Sequence, residues 1–353
     1  MRCGLVGWAC RTGNGQMNRD LWDMGLVQKW LVPRHPILDY ELSVLPAVED
    51  GSVVTCEREG DDDVYSKFLD DIDTLLFVEA PSCVSGFDLV AECNRRGIVT
   101  CCIPMMEWLP LHPWVADVDV MWAPTQWSKD ELEHFAYDFD RKCGKLPRWV
   151  NDGIVGGRWG VDVDRFVFRE RARADLFLYP NGNGGASARK GSLVVGRAAE
   201  LAPEVPILFR SQRYQEIPLL TANVTLAMDN CESKWSVYDV GDVLLAPSRW
   251  EGLGHSLYEA QACGLPVITT LGPPMDECSP LQFVSAKCGR YDLCGRGFTT
   301  WEADPFELAK IIRELHGQDI REASRSARKF VESHHDLRDV VRDLRSELEG
   351  RVF

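Results

Sequence analysis

The segment at residues 246–270 constrains the fold of this chain more than any other part of the sequence. It reads APSRWEGLGHSLYEAQACGLPVITT, and the apolar run that leads into it, residues 243–246, predicts a buried strand. A glycine-rich loop follows, then a helix over 256–263 that Gly264 ends, and then a second short strand over 266–270. This order belongs to an open parallel sheet, in which ligands bind at the carboxyl ends of the strands. The loop is therefore the expected binding site.

Two glutamates flank this glycine-rich turn. Glu251 lies in the loop and Glu259 lies along the predicted helix, with seven residues between them. Eight steps at helical rise separate the two positions by about 12 Å, so one ligand with two hydroxylated ends can touch both. The pair predicts a site for a polyhydroxylated ligand.

These residues resemble the GT-B glycosyltransferases, particularly the large retaining group typified by glycogen and mannosyl transferases. The signature of that group is two glutamates with seven residues between them, and EGLG followed by EAQACGLPV carries it at residues 251–267. WAPTQWSKDEL at 122–132 resembles the family's segment entering the last helix of the first domain, and GVDVDRF at 160–166 resembles its interdomain linker. The resemblance implies an α/β GT-B fold, with two Rossmann-like domains facing a central cleft.

The resemblance also assigns the donor loop. It implies that Glu251 contacts hydroxyls of the donor sugar and that Glu259 holds the ribose hydroxyls of the nucleotide. The donor loop between them is assigned to the same site, namely Gly252, Leu253, Gly254 and His255. His255 either touches the donor phosphate or sugar or is a structural residue at the helix start.

A second glycine-rich loop, NGNGGASARKG at 181–191, follows a predicted strand. Its Arg189 and Lys190 resemble the family's basic residues that neutralise the departing donor diphosphate, a role that fixed cations perform without reorganisation. The family usually places an arginine five positions before the lysine, where Gly185 stands, so Arg189 or Arg210 is expected to replace it. The alternative is a solvated basic turn.

Two candidate segments lie in the first part of the chain. Gly13, Asn14 and Gly15 stand between the first predicted strand and its helix, where backbone N–H groups and the helix dipole favour an anion. The resemblance implies that this loop faces the donor across the cleft. The alternative is that it is only a tight turn between the strand and the helix. Glu107, in IPMMEWLP at 103–110, stands in a region where many family members carry a histidine near the reacting sugar. It either contributes to catalysis or caps a loop beside a core tryptophan.

The predicted catalytic residues are Glu107, Lys190 and Glu251. A retaining transferase of this family needs no dedicated base, since the leaving phosphate can take the proton. An inverting enzyme would need Glu107 or a similar acid.

A chain of 353 residues exceeds a usual single core, so two domains are expected. Alternating apolar and helical segments predict parallel strands with crossover helices. We expect an acceptor-side domain at 1–165, a nucleotide-sugar-binding domain at 166–330 and a terminal helix at 331–353 that returns to the first domain. Among local features, a helix is predicted from about Met17 to Trp30, an irregular stretch over 33–63, a strand segment over 193–199, and one long helix over 320–348.

Composition limits the classes of binding partner and the cellular location that can be expected. A formal net charge of -15 counts against broad binding to nucleic acid or an anionic membrane. The start lacks a basic segment followed by a long apolar one, so no signal peptide or membrane span is expected, and the cytoplasm is the predicted location, in a host cell if the chain is phage-encoded. The thirteen cysteines form no C-x-x-C pair and are expected to be reduced. No metal or other cofactor is expected; the nucleotide diphosphate sugar is a co-substrate.

The sequence therefore predicts a hexosyltransferase that moves a sugar from a UDP- or GDP-sugar to an acceptor hydroxyl with retention. The acceptor is open among a glycan, a lipid, a protein and a modified DNA base. RTGNG at 11–15 and IPMMEW at 103–108 resemble transferases of bacteriophages, so a phage enzyme acting on a hydroxymethylated base is one alternative. A sugar-nucleotide epimerase and a non-catalytic nucleotide-sugar binder are the others.

Overall fold

The structure, a computed structural model, describes residues 1–10, 12–33, 44–46, 49–56, 62–80, 88–182, 188–211, 221–228, 231, 233–293 and 296–352. The chain forms two compact units. Unit 1 consists of Met1–Trp159 and Arg338–Phe353, and unit 2 consists of Gly160–Leu337. Each unit contains a hydrophobic core of its own.

Unit 1 is built on a seven-stranded sheet in which every described pairing is parallel. Its strands are β1 (Cys3–Val6), β2 (Lys29–Pro33), β3 (Val53–Cys56), β4 (Thr74–Val78), β5 (Val99–Ile103), β6 (Val120–Ala123) and β7 (Ile154–Gly156). The helices between them are α1 (Gly13–Asp23), α2 (Asp62–Phe68), α3 (Leu89–Arg96), α4 (Pro113–Asp117) and α5 (Gln126–Cys143). The strand order is β3-β2-β1-β4-β5-β6-β7, so the direction of winding reverses between β1 and β4.

Unit 2 repeats this architecture with a six-stranded parallel sheet and adds an antiparallel hairpin. The sheet strands are β8 (Phe177–Gly182), β9 (Ile207–Ser211), β10 (Val224–Ala227), β11 (Val243–Ala246), β12 (Val267–Thr270) and β13 (Gln282–Val284), and the hairpin strands are β14 (Ala286–Leu293) and β15 (Arg296–Ala303). The helices are α6 (Ser192–Leu201), α7 (His255–Ala262), α8 (Pro305–Leu315) and α9 (Arg321–His334), and α10 (Leu337–Glu349) then joins unit 1. The strand order is β10-β9-β8-β11-β12-β13, so winding reverses between β8 and β11.

The prediction of two Rossmann-like α/β domains is confirmed by these two sheets. The strands could be predicted because a strand buried on both faces is a continuous apolar run in the sequence. β4 and β11 are apolar along most of their length and buried at every position. None of the helices in the described part of the chain combines the length and apolar character that crossing a bilayer requires.

The helix predicted from about Met17 to Trp30 is wrong at both ends. The Thr12 side chain accepts a hydrogen bond from the Gly15 N–H and starts α1 at Gly13, and the chain leaves the helix before Gly25, whose φ is +69°. Trp30 lies in β2, fully buried, and its indole N–H donates to the Gly7 carbonyl at 2.9 Å. Because β2 pairs with β1, the segment around Trp30 forms a strand and not the end of a helix.

Three other local expectations are also corrected. The stretch predicted as irregular over 33–63 contains β3, which pairs with β2. The apolar segment at 193–199, expected to continue the strand pattern, lies within α6. The single helix over 320–348 is divided into α9 and α10, because Val161 donates to the His335 carbonyl at 2.9 Å and its own carbonyl accepts from the Leu337 N–H at 3.0 Å.

Candidate active site

The point where winding reverses in unit 2 brings together two predicted catalytic residues. Lys190 follows β8 and Glu251 follows β11, and these strands are neighbours whose onward connections run to opposite sides. A crevice forms outside the carboxyl ends of the strands at such a point. The Lys190 Nζ lies 2.5 Å from the Glu251 Oε1. Residues 61 positions apart in sequence thus form one ion pair.

Backbone contacts hold the two loops together. Gly191 has a φ of +76°, and a Cβ there would lie 2.0 Å from the Pro247 carbonyl oxygen, so only glycine allows this approach. The Arg249 N–H donates to the Arg189 carbonyl at 2.7 Å, and the Tyr179 hydroxyl donates to the Lys190 carbonyl at 3.0 Å. These contacts fix the position from which Lys190 extends.

The Glu251 carboxylate is buried and ionised. It is 5% exposed, the Ser248 hydroxyl donates to its Oε1 at 2.7 Å, and the Arg189 Nη2 lies 4.0 Å from its Oε2. Burial alone would raise the pKa of this carboxyl, but Lys190 and Arg189 together hold the pKa below its usual 4.5. At neutral pH the site therefore presents one carboxylate between two cations.

The donor loop turns into α7 through a left-handed glycine. Gly252 and Leu253 are buried, and Gly254 caps the helix with a φ of +77°. His255 is the first residue of α7, so the loop presents the N-terminal backbone of this helix, a position that favours an anion.

His255 is neutral in this environment. Burial disfavours its charged form and Lys234 adds to the effect, lowering the pKa to about 3. Its Nδ1 lies 3.6 Å from the Glu259 Oε1, and neither ring nitrogen has a hydrogen-bond partner among the described residues.

Glu259 lies in a second buried ion pair. The Lys234 Nζ is 2.6 Å from its Oε1, and the Tyr238 hydroxyl donates to its Oε2 at 2.6 Å. Burial would raise the pKa of the Glu259 carboxyl, but Lys234 and His255 hold it below 4.5. Neither Lys234 nor Tyr238 was predicted; they stand four residues apart in the turn ahead of β11 and match no short motif.

Arg210 lies on β9 and reaches the turn that carries Lys234, where its Nη1 donates to the Ser236 carbonyl at 3.5 Å. The position of the family's missing arginine, Gly185, lies outside the described residues.

The remaining predicted site residues belong to unit 1. Gly13, Asn14 and Gly15 form the first turn of α1, so the predicted turn is already helical, and the Asn14 amide donates to the Glu79 carboxylate. Asn14 follows β1 and Glu79 follows β4, so this contact spans the reversal point of unit 1. Glu107 is 6% exposed in the segment after β5. The predicted residues therefore form two groups, one in each unit.

The contact between Asn14 and Glu79 in unit 1 includes a residue, Glu79, that was not predicted from the sequence. Glu79 has a φ of +72° and is the one non-glycine residue with positive φ in the described part of the chain. Such backbone strain is common at functional sites, but no sequence motif signals it here.

Asp117 with Asp119, and Asp162 with Asp164, have the D-x-D spacing that binds a metal in a different transferase fold, but members of both pairs have structural partners. The Asp117 carboxylate accepts from Lys145 at 2.6 Å, the Asp119 carboxylate accepts from the Thr100 hydroxyl at 2.9 Å, and Asp162 pairs with Arg165 at 3.0 Å. Within the described ranges, no group of three or more His, Cys, Asp or Glu side chains has an arrangement that could hold a metal ion.

Comparison with known proteins gives a family match over part of the chain and a similar fold over all of it. Residues 219–282 match the family model of glycosyl transferases group 1, and this range contains Lys234, Glu251 and Glu259. No curated protein sequence matches the chain. The family match supports the predicted enzyme class, a glycosyltransferase.

Solved structures are similar over the whole chain. HepE of Anabaena, in complex with UDP-glucose, has a TM-score of 0.67 at 12% identity, and the match covers 99% of each chain. A glycosyltransferase of Rickettsia africae has a TM-score of 0.65 at 12% identity, covering 99% of this chain and 98% of that one. Sucrose-phosphate synthase of Thermosynechococcus elongatus has a TM-score of 0.63 at 14% identity, again covering 99% and 98%. The predicted GT-B fold is confirmed by these matches.

Proposed function

We propose that this chain is a retaining glycosyltransferase that moves a sugar from a nucleotide diphosphate sugar to an acceptor hydroxyl. The observation that carries the proposal is the contact of 2.5 Å between Lys190 and Glu251 at the reversal point of the unit 2 sheet. A cation and a carboxylate held side by side match the two halves of such a donor, an anionic diphosphate and a polyhydroxylated sugar.

Each residue has a part in the transfer. The bond between the anomeric carbon and the diphosphate oxygen breaks, and Lys190 with Arg189 meets the charge that develops on the leaving oxygens. Glu251 accepts hydrogen bonds from sugar hydroxyls, while Glu259 accepts them from the ribose. The acceptor oxygen then bonds to the anomeric carbon, and its proton passes to the leaving phosphate, so retention requires no separate base.

UDP-glucose is the first donor to offer, because HepE was solved in complex with it. GDP-mannose is the second, since the proposal covers both nucleotides. A cytoplasmic location is part of the proposal and is consistent with the cysteines of the described ranges, which are not joined in disulfides.

The decisive experiment offers each donor, labelled in its sugar, to simple glycosides, a bacterial lysate and hydroxymethylated DNA, and follows the label by mass spectrometry. Label on an acceptor, in a glycosidic bond that NMR shows to have the donor's anomeric configuration, supports the proposal. Label on hydroxymethylated DNA identifies the base-modifying alternative, which the net charge of -15 disfavours. Conversion of the donor sugar without any acceptor identifies an epimerase, and tight binding without turnover identifies a non-catalytic binder.

In the proposed mechanism, side chains and not a metal ion supply the positive charge that stabilises the leaving diphosphate. Because Lys190 and Arg189 both lie within 4.0 Å of Glu251, we expect transfer to proceed after treatment with EDTA. Activity that disappears with EDTA and returns with Mg²⁺ would contradict this assignment.

A further inference from the structure

The second glutamate of the pair is held by two residues outside the signature. Lys234 contacts one carboxylate oxygen of Glu259 and Tyr238 donates to the other, each at 2.6 Å. Both come from the turn between β10 and β11. Each oxygen of Glu259 therefore has one fixed partner.

The number of free acceptor positions fits a diol. An ionised carboxylate offers about four lone-pair positions. The Tyr238 hydroxyl occupies one on Oε2, while Lys234 contacts Oε1 as an ion pair and that oxygen has no hydrogen bond among the described residues. Acceptor positions are therefore left on both oxygens, as a pair of neighbouring hydroxyl groups requires. The Lys234 side chain is 24% exposed, against 6% for Glu259, so of the two side chains that of Lys234 borders the solvent.

We propose that Lys234 and Tyr238 are positioning residues for the donor: they hold Glu259 ionised and oriented so that it accepts both ribose hydroxyls. This inference rests on the proposed function, because it requires a nucleotide sugar as the donor. It adds two residues that the paired-glutamate motif does not contain.

The charges around Glu259 explain why this carboxylate needs a cation beside it to stay ionised. Burial by itself would raise the pKa of this carboxyl, and Lys234 makes the largest opposing contribution, followed by His255 and Tyr238. Farther along α7, burial and Glu259 raise the pKa of Cys263 to about 12. From α9, Arg328 donates to the Ala262 carbonyl at 2.7 Å. Lys234 is therefore the cation that keeps the carboxylate charged.

Removal of Lys234 should raise the pKa of Glu259. The largest contribution that opposes burial disappears with the ammonium group, so we expect the effect of burial to prevail in the variant. The protonated form predominates below the raised pKa, and it has lost acceptor capacity. Donor affinity in the variant should therefore fall as the pH falls, and it should recover as the pH rises.

The experiment measures the Kd of UDP-glucose by calorimetry between about pH 6 and about pH 8, where the diphosphate of this donor does not titrate. We expect a nearly constant Kd for the wild type. For Lys234→Met we expect a Kd about tenfold weaker near pH 6, with part of the loss recovered near pH 8. Lys234→Arg should restore the flat profile, and Lys234→Met combined with Glu259→Gln should bind weakly at every pH.

Controls separate positioning from a general loss of structure. Lys310→Met removes the lysine of an exposed ion pair on α8 and should leave both affinity and pH profile unchanged. Tyr238→Phe removes a single hydroxyl and keeps the ring, so it tests the same carboxylate if Lys234→Met folds poorly. It should show a smaller pH-dependent loss of affinity.

Two results would overturn the inference. Lys234→Met and Tyr238→Phe proteins that are folded and bind UDP-glucose as the wild type does at every pH would remove both residues from donor recognition. A loss in Lys234→Met that is equal at all pH values would assign Lys234 a role independent of the charge on Glu259. A wild-type chain that binds neither UDP-glucose nor GDP-mannose would instead refute the proposed function, and the inference would fall with it.

Discussion

At the scale of single residues, unit 2 contains two ion pairs with buried carboxylates. Glu251 with Lys190 and Glu259 with Lys234 each join a carboxylate near α7 to a lysine from another loop. Both carboxylates are almost fully buried. Removing one member of a buried pair leaves an uncompensated charge, which costs more than replacing the whole pair.

This asymmetry gives a first prediction for Lys190→Met. Loss of the cation that meets the leaving diphosphate should lower the turnover number by about 10²–10³-fold. The unpaired Glu251 should also lower the free energy of unfolding by about 3 kcal/mol. Adding Glu251→Gln should recover most of that stability without restoring turnover. Urea denaturation and steady-state kinetics measure the two effects, and unchanged turnover in Lys190→Met would remove this lysine from the mechanism.

The same pairs predict how acid affects stability. Both glutamates have folded-state pKa values below 4.5, so they bind protons more weakly in the folded chain than in the unfolded one. Their contribution is present above about pH 4.5 and is lost as the pH falls through the folded pKa values. Glu259→Gln should therefore lose stability less steeply than the wild type between about pH 5 and about pH 3.

The control for this measurement is Glu314→Gln, which changes an acid that is 65% exposed in an ion pair on α8. Because that pair lies in water, the variant should follow the wild-type curve. Denaturant midpoints across the pH series provide the comparison, and identical slopes for Glu259→Gln and the wild type would refute the prediction.

At the scale of elements, the strands and helices predicted most accurately were those marked by residues within or next to the element itself. The strand at 243–246 was predicted with its observed bounds, and α7 within one residue, because Gly254 and Gly264 mark its ends with left-handed backbone. β2 was missed because it forms by pairing with β1. Lys234 and Tyr238 were missed for a related reason, since only the folded turn ahead of β11 brings them to Glu259.

The contact between the two loops of unit 2 gives a prediction for Gly191→Ala. Its added Cβ would meet the Pro247 carbonyl at 2.0 Å in a backbone with φ of +76°, so the loops must separate. We expect weaker binding of UDP-glucose together with a loss of roughly 3 kcal/mol in stability, from a left-handed penalty of roughly 1–2 kcal/mol plus the steric strain.

Gly317→Ala is the matched control, with φ of +78° and its nearest atom, the Arg173 Nη2, at an ordinary 3.6 Å. It should cost only the left-handed penalty, about 1–2 kcal/mol, with no change in donor affinity. Equal losses of affinity in the two variants would show that the contact with Pro247 is irrelevant to the site.

At the scale of the whole molecule, chain order and spatial order differ. The last helix, α10, follows unit 2 in sequence and belongs to unit 1, where Arg345 donates to the Gly25 carbonyl at 2.7 Å and Asp343 pairs with Arg158 at 2.6 Å. Unit 1 is therefore completed only by the end of the chain. Both units also place a contact across the reversal of their sheets, Asn14 with Glu79 in one and Lys190 with Glu251 in the other.

This arrangement predicts where a change in α10 is felt. Leu344 is fully buried, so Leu344→Ala should cost about 3 kcal/mol by removing core volume. Because each unit has its own core, amide hydrogen exchange should accelerate in β1 and β4 of unit 1 while β8 and β11 keep their protection. Leu308→Ala in α8, at an equally buried position of unit 2, should give the reciprocal pattern. If either variant accelerated exchange equally in both sheets, the two units would unfold as one cooperative body, and the assignment of α10 to unit 1 would carry no energetic meaning.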